Sequence, residues 1–175
     1  MDLNIDLKEK IRSIPDFPIK GVLFRDITTL LKDKEGYHEL IETIKDSLSD
    51  HQVDIVVGPE ARGFVIGAAL AYALGAGFVL ARKPGKLPCE TLRHEYGLEY
   101  GTDVLEIHKD AIQPGQKVVI VDDLLATGGT ALATVKLVEQ ARGVVVGLRF
   151  AIELRSEFDG RMPLAGYDVQ SVMQY

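Results

Sequence analysis

The residues with the clearest chemical pattern run from Val118 to Thr130 and read V-V-I-V-D-D-L-L-A-T-G-G-T. The β-branched residues at the start predict a stiff buried strand, which ends in the carboxylates of Asp122 and Asp123. The Gly128–Gly129 pair lets backbone N–H groups approach an anion, and the helix that follows adds unpaired donors and the positive end of its dipole. A buried strand and a capped helix explain either half alone. Two carboxylates beside a glycine-rich anion site indicate a site for a phosphorylated sugar.

Two further turns carry cations directly after predicted strands. The strand at 53–58 is followed by P-E-A-R-G-F at 59–64, and the strand at 77–81 by R-K-P-G-K-L-P at 82–88. Either turn alone would be read as a solvated helix start or a basic loop. Because ligands of open parallel sheets bind beyond the carboxyl ends of the strands, the two turns and the Asp122–Thr130 loop are expected on one rim. Together they indicate an anion site.

The alternation of strands and helices predicts an α/β fold with a mainly parallel central sheet and helices on both faces. Residues 5–14 form a short amphipathic pattern, and 19–28 are typical of a loop or short strand. Residues 89–110 show broken strand alternation, which favours a β-hairpin or flap that could act as a lid. The remaining elements are helices at 34–49, 63–74 and 128–140 and strands from 117, at 143–153 and at 169–173.

Composition restricts the class of protein. The 175 residues are expected to form a single domain, 1–175, and the net charge of −6 argues against a protein that coats nucleic acid. The single cysteine, Cys89, excludes an intrachain disulfide. The uncharged stretch 64–81 is interrupted by glycines, so it predicts a buried helix–turn–strand unit and no membrane span. The N-terminus lacks the basic start and apolar run of a signal peptide.

The stretch from Val118 to Thr130 resembles the phosphoribosyl diphosphate signature of the type I phosphoribosyltransferases. Within that family, the members that act on adenine are similar to this chain in four further segments: 17–27, 62–64, 82–88 and 98–101. The resemblance implies conversion of adenine and phosphoribosyl diphosphate to AMP and pyrophosphate in cytoplasmic purine salvage. It also implies Mg²⁺ as cofactor, a homodimer, a base-binding segment at 1–33 and a flexible flap at 89–110.

The resemblance also implies how the phosphoribosyl diphosphate is held. The 5-phosphate would bind to Ala126, Thr127, Gly128, Gly129 and Thr130. Asp122 and Asp123 would face the ribose hydroxyls and stabilise positive charge on the sugar. The pyrophosphate would meet Arg62, Arg82, Lys83 and Lys86. In the family the Glu60–Ala61 peptide bond is cis, and protein side chains are not expected to ligate the metal.

The base and the proton transfer are assigned in the same way. Adenine would stack between Phe24 and Leu124, and the Leu23 C=O and the Arg25 N–H would read its edge. Hypoxanthine presents the opposite donor–acceptor pair and would leave polar groups unpaired. Glu99, in the flap, would accept the proton from N7 of the base.

Other functions remain open. One is a phosphoribosyltransferase for hypoxanthine, guanine or xanthine. Another is a non-catalytic regulator that keeps the phosphoribosyl diphosphate loop, although an acidic chain without room for a DNA-binding domain argues against it. An unrelated NTPase is disfavoured because no G-x-x-x-x-G-K-[ST] motif is present.

Overall fold

The computed structural model describes residues 6–98 and 101–175. The strands are β1 (Arg12–Pro15), β2 (Leu23–Asp26), β3 (Ile55–Pro59), β4 (Gly77–Ala81), β5 (Thr91–Leu98), β6 (Gly101–His108), β7 (Lys117–Leu125), β8 (Val144–Glu153) and β9 (Val169–Gln174). The α-helices are α1 (Thr28–Leu31), α2 (Lys34–Asp46), α3 (Arg62–Leu74) and α4 (Gly129–Gln140). Short 3₁₀ helices occur at Leu7–Lys10 and Met162–Leu164.

Five strands form the central sheet in the order β4-β3-β7-β8-β9, and every neighbouring pair is parallel. The predicted mainly parallel sheet is therefore confirmed. The middle strand, β7, carries the apolar run from Val118 to Val121, and these four residues are fully buried. A continuous apolar run is typical of a parallel strand that is covered on both faces.

The two faces of the sheet pack against different helices. Val119 and Val121 lie in a core with α2 and α3, while Val118 and Ile120 lie in a second core with α4. This division follows from the strand geometry, because successive side chains point to opposite faces. The sheet therefore holds β7 rigidly from both sides and fixes the position of the residues at its carboxyl end.

The uncharged stretch 64–81 folds as the predicted helix, turn and strand. Helix α3 ends at Gly75, whose φ of +67° is left-handed, and β4 begins two residues later. Within the described residues, no helix combines the length and the apolar character that crossing a bilayer requires.

Two small antiparallel sheets complete the fold. The first pairs β1 with β2, so the 19–28 segment contains a short strand. Of the predicted amphipathic pattern at 5–14, the described part is divided between a 3₁₀ turn and β1 instead of forming one element. The second pairs β5 with β6 within the predicted flap at 89–110. Backbone hydrogen bonds between Arg82 and Glu106, of 2.8 and 2.7 Å, join this ribbon to the residue that follows β4.

Candidate active site

The carboxyl ends of β3, β4 and β7 lie side by side, as the sequence predicts. Pro59 at the end of β3 is in register with Ala81 at the end of β4, and Val57 pairs with Ile120 of β7. The turns at 59–64 and 82–88 come at the ends of β3 and β4, as predicted. The predicted end of the central strand at Asp122 and Asp123 is wrong, because β7 keeps pairing with β8 as far as Leu125 and both carboxylates lie within it. All three segments nevertheless lie at the carboxyl ends of these strands. They therefore share one rim of the sheet.

A cavity of about 260 Å³ opens at this rim. It is lined by Glu60, Ala61, Arg62, Asp122, Asp123, Leu124, Leu125, Ala126, Thr127, Gly128, Gly129, Thr130, Ala131 and Phe150. All seven residues predicted to hold the ribose and its 5-phosphate are in this set, together with Arg62 and Leu124. The predicted residues Arg82, Lys83, Lys86, Leu23, Phe24 and Arg25 are not among the lining residues.

The loop at 126–130 is shaped by close backbone packing. Gly128 has a φ of +82°, and a Cβ there would lie 2.4 Å from the Gly160 carbonyl oxygen. A Cβ on Gly160 would in turn lie 2.2 Å from the Ala126 carbonyl oxygen. Helix α4 starts at Gly129, and its first N–H groups have no partner within the helix. Gly160 therefore packs against the loop and supports its shape. The sequence alone predicts only a turn at Asp159-Gly160 and gives no indication of this contact.

The two carboxylates of the rim differ in their surroundings. Burial and the neighbouring charge of Asp123 raise the pKa of Asp122 well above its usual range. Its Oδ1 accepts a hydrogen bond of 2.8 Å from the Asp123 N–H. Asp123 forms an ion pair with Arg62. A Cβ on Gly63 would lie 3.0 Å from the Asp122 Oδ1, so glycine at 63 makes room for this carboxylate.

Three of the four predicted cations are paired with carboxylates. Arg62 binds Asp123, Arg82 binds Glu60 at 2.8 Å, and Lys83 binds Asp103 of the flap. Burial lowers the pKa of Arg62, but the hydrogen bond to Asp123 and the nearby acids outweigh it and raise the pKa.

The fourth cation, Lys86, is exposed. Sequence reasoning assigned no role to Glu60 as an ion-pair partner or to Asp103. Both pairs depend on how separate turns meet in space, and the local pattern carries no signal for them.

The predicted base-binding residues lie on β2. Phe24 is half-buried and packs edge-to-face on Phe17, with ring centroids 5.1 Å apart. The Arg25 guanidinium lies 4.0 Å from the centre of the Tyr175 ring. The backbone groups of residues 23 and 25 point to the same edge of the strand, because they are two positions apart.

Glu99, the predicted proton acceptor, lies outside the described residues. The nearby flap residue Tyr96 is described, and its hydroxyl lies 3.2 Å from Asp103 Oδ2 and 3.4 Å from Thr130 Oγ1. The flap therefore reaches the loop at 126–130, which is predicted to hold the 5-phosphate. The Glu60–Ala61 peptide bond is cis. Among the described residues, His, Cys, Asp and Glu side chains do not form a group of three or more that could hold a metal ion.

Comparison with known proteins identifies the family of the chain. Residues 26–158 match the phosphoribosyl transferase domain family. The adenine phosphoribosyltransferase of Alkaliphilus metalliredigens is 60% identical over 171 residues, which cover 98% of this chain and 100% of that protein. The chain belongs to the adenine phosphoribosyltransferases.

Solved structures of adenine phosphoribosyltransferases share the fold. The enzyme from Thermoanaerobacter pseudethanolicus superimposes with a TM-score of 0.93 at 56% identity, covering 97% of this chain and 98% of that one. The Saccharomyces cerevisiae enzyme gives a TM-score of 0.88 at 39% identity over 94% of this chain and 95% of that one. It was crystallised with D-2,5-dideoxy-2,5-imino-altritol 1,6-bisphosphate and adenine. The predicted family, fold and transferase class are confirmed.

Proposed function

We propose that this chain transfers the phosphoribosyl group of phosphoribosyl diphosphate to adenine and releases AMP and pyrophosphate. The observation that carries the proposal is the cavity that joins the Asp122–Asp123 pair to the 126–130 loop. Relatives at 56 to 60% identity are adenine phosphoribosyltransferases, and this supports adenine as the base. The S. cerevisiae relative is complexed with adenine together with a phosphorylated imino-altritol, and this supports a site that holds a purine base beside a phosphorylated ring.

The 126–130 loop is suited to the 5-phosphate. Its backbone N–H groups lead into the start of α4, where unpaired donors and the helix dipole favour an anion. The hydroxyls of Thr127 and Thr130 add donors that can rotate to meet phosphate oxygens. Because Gly128 is packed against Gly160, the loop holds this shape before the substrate arrives. The preformed loop lowers the ordering cost of binding.

The two carboxylates are suited to the ribose. They accept hydrogen bonds from the ribose hydroxyls, and their charge stabilises the positive charge that grows on the sugar as the bond to pyrophosphate breaks. The raised pKa of Asp122 reflects the cost of a second negative charge beside Asp123 in a buried place. A developing cation at the ribose offsets this cost, so the pair stabilises the transition state more than the substrate.

The cations and the flap complete the transfer. Arg62, Arg82, Lys83 and Lys86 would bind the diphosphate, and arginine forks and lysine ammonium groups both suit its oxygens. N9 of adenine bonds to C1 of the ribose, and the C1–O bond to the diphosphate breaks. Glu99 takes the N7 proton of adenine. The Leu23 C=O and the Arg25 N–H read the base edge, with Phe24 and Leu124 on its faces.

We propose Mg²⁺ as the cofactor. Three carboxylates line the cavity, those of Glu60, Asp122 and Asp123, and two of them are paired with Arg82 and Arg62. Mg²⁺ is commonly held by few carboxylates together with substrate phosphates and water. The lining therefore fits an ion that would be held by oxygens of the diphosphate and the ribose and not by protein side chains. When bound, the ion would neutralise charge on the leaving pyrophosphate.

We propose that the chain is a cytoplasmic homodimer. Helix α3 exposes Val65 and Tyr72, which are 44% and 91% accessible and two turns apart on one face. Leu80 on the edge strand β4 is 39% accessible. Apolar residues that stay exposed together favour a protein interface.

Light scattering of the purified protein should give the mass of two chains. The Tyr72→Glu variant should give the mass of a single chain. Cell fractionation tests the location.

A base-panel assay tests the function. Purified protein with Mg²⁺ and phosphoribosyl diphosphate should release pyrophosphate with adenine and scarcely with hypoxanthine, guanine or xanthine. Equal turnover of these bases would contradict the adenine assignment. Tight phosphoribosyl diphosphate binding without turnover of any base would favour a regulator.

Replacement of Glu99 tests the proton transfer. Glu99→Gln should lower kcat by at least tenfold and change the KM for adenine much less, because the base loses its proton acceptor. Glu95→Gln is the matched control, because Glu95 is an exposed glutamate of the same ribbon. An unchanged kcat in Glu99→Gln would remove this residue from the mechanism.

A further inference from the structure

The flap is tied to the turn after β4 by its second strand, β6. Arg82 and Glu106 exchange two backbone hydrogen bonds, and the Gly85 N–H donates to Glu106 Oε2 at 3.3 Å. Glu106 is buried, so this attachment is protected from water. One end of the flap is therefore anchored beside the predicted diphosphate cations.

A second, more exposed link lies nearer the tip of the flap. Asp103, three residues before Glu106, pairs with Lys83, and the two side chains are 25% and 40% accessible. Asp103 Oδ1 also accepts from the Val104 N–H at 2.8 Å, and its Oδ2 lies 3.2 Å from the Tyr96 hydroxyl. That hydroxyl is 3.4 Å from Thr130 Oγ1. Asp103 therefore connects a predicted diphosphate cation with the flap and, through Tyr96, with the 5-phosphate loop.

This ion pair differs from the other two at the rim. Glu60 and Asp123, which pair with Arg82 and Arg62, belong to the strand ends of the central sheet. Asp103 belongs to the flap. A diphosphate oxygen and the Asp103 carboxylate would compete for the same ammonium group, since both are anionic acceptors. If the diphosphate displaced Asp103 from Lys83, the contacts that hold the flap would change. If it displaced Glu60 or Asp123 from its arginine, they would not.

We propose that Asp103 is a positioning residue that couples the flap to the diphosphate site by competing with the diphosphate for Lys83. The proposal deepens the function given above and rests on the binding of the diphosphate at Lys83. Asp103→Asn keeps the shape of the side chain and its hydrogen-bond acceptor but removes the charge. Pyrophosphate should therefore bind more tightly to this variant. A partly exposed ion pair corresponds to a gain of about two- to fivefold.

A double-mutant cycle read by calorimetric titration with magnesium pyrophosphate tests the proposal. Asp103→Asn should tighten binding in the full-length chain, and the gain should vanish when Lys83→Ala is also present. Asp103→Glu, which keeps the charge, should return the affinity toward that of the unchanged protein. Asp110→Asn is the control for removal of one negative charge, because Asp110 is exposed and forms no ion pair with a described residue. It should leave the affinity unchanged.

The outcomes separate the two proposals. If Lys83→Ala alone does not weaken pyrophosphate binding, the diphosphate does not bind at Lys83, and both the coupling and the role of Lys83 in the proposed function fail, whereas the transfer to adenine is decided by the base panel. If Lys83→Ala weakens it but Asp103→Asn binds as the unchanged protein does, the coupling is wrong and the proposed function stands. A lower melting temperature of Asp103→Asn without a change in affinity would give Asp103 a purely structural role. If the tighter pyrophosphate binding of Asp103→Asn persists when Lys83→Ala is also present, the effect of Asp103 is a general charge effect and does not act through Lys83.

Discussion

Asp26, at the end of β2, anchors the strand that we propose to bind the base, and its replacement by asparagine should destabilise the protein in a pH-dependent way. Its Oδ1 accepts from the Thr28 N–H at 2.9 Å and from the Thr28 hydroxyl at 2.6 Å. Its Oδ2 accepts from Arg12 Nε at 3.0 Å. The side chain is only 10% accessible. These hydrogen bonds hold β1, β2 and the start of α1 together.

The size of the effect follows from the pKa of Asp26. The hydrogen bonds from Thr28 and Arg12 lower it from 3.8 to about 2. Each pKa unit corresponds to about 1.4 kcal/mol, so the charged Asp26 stabilises the folded state by roughly 2 kcal/mol. Because the folded pKa is depressed, this contribution is complete above the unfolded pKa and is lost as the pH falls through the folded pKa. The loss therefore occurs between about pH 5 and pH 2.

Urea unfolding of Asp26→Asn and of the unchanged protein at several pH values measures the difference. The free energies of unfolding should differ by roughly 2 kcal/mol at pH 5 to 7 and by less than about 1 kcal/mol at pH 2.5. Asp50→Asn is the control, since Asp50 is exposed and forms no hydrogen bond or ion pair with a described residue. A gap that stays constant down to pH 2.5 would refute the reasoning, because it could not come from the charge of Asp26.

Three further replacements test parts of the site and its support. Gly160→Ala should raise the KM for phosphoribosyl diphosphate at least tenfold, because the added Cβ would lie 2.2 Å from the Ala126 carbonyl oxygen. An unchanged KM in steady-state kinetics would show that the loop does not depend on this packing. Tyr175→Ala should raise the KM for adenine about two- to tenfold, because the aromatic ring that contacts Arg25 is lost. Tyr175→Phe keeps the ring and should leave this KM unchanged. Equal effects of the two variants would exclude the ring as the cause. Arg149→Met should lower the melting temperature by roughly 6–12 °C, because the buried guanidinium binds Asp168 at 2.6 Å and Ser47 Oγ at 2.8 Å. A shift below 2 °C would contradict a stabilising role of Arg149.

Much of the fold was predictable because its signals are local. The apolar run of β7, the glycines that end α3 and shape the 126–130 loop, and the alternation of strands and helices each depend on a few neighbouring residues. A parallel sheet then brings the carboxyl ends of its strands to one edge, so the common rim followed from the order of the elements. The residues from Asp122 to Thr130 line the cavity for this reason.

The amino-acid sequence was sufficient to predict the apolar strand, the two acids beside it and the glycine loop, since strand propensity, helix dipole and positive φ act over a few residues. The partners of those residues, in contrast, depend on the tertiary fold. Asp103 meets Lys83 because the flap lies against the turn after β4, Gly160 meets the loop from a distant turn, and Tyr175 covers Arg25 from the end of β9. These contacts join residues that are 20 to 150 positions apart, so they depend on sheet register and packing. Charge pairs and close backbone contacts across such separations leave no periodic pattern in the sequence.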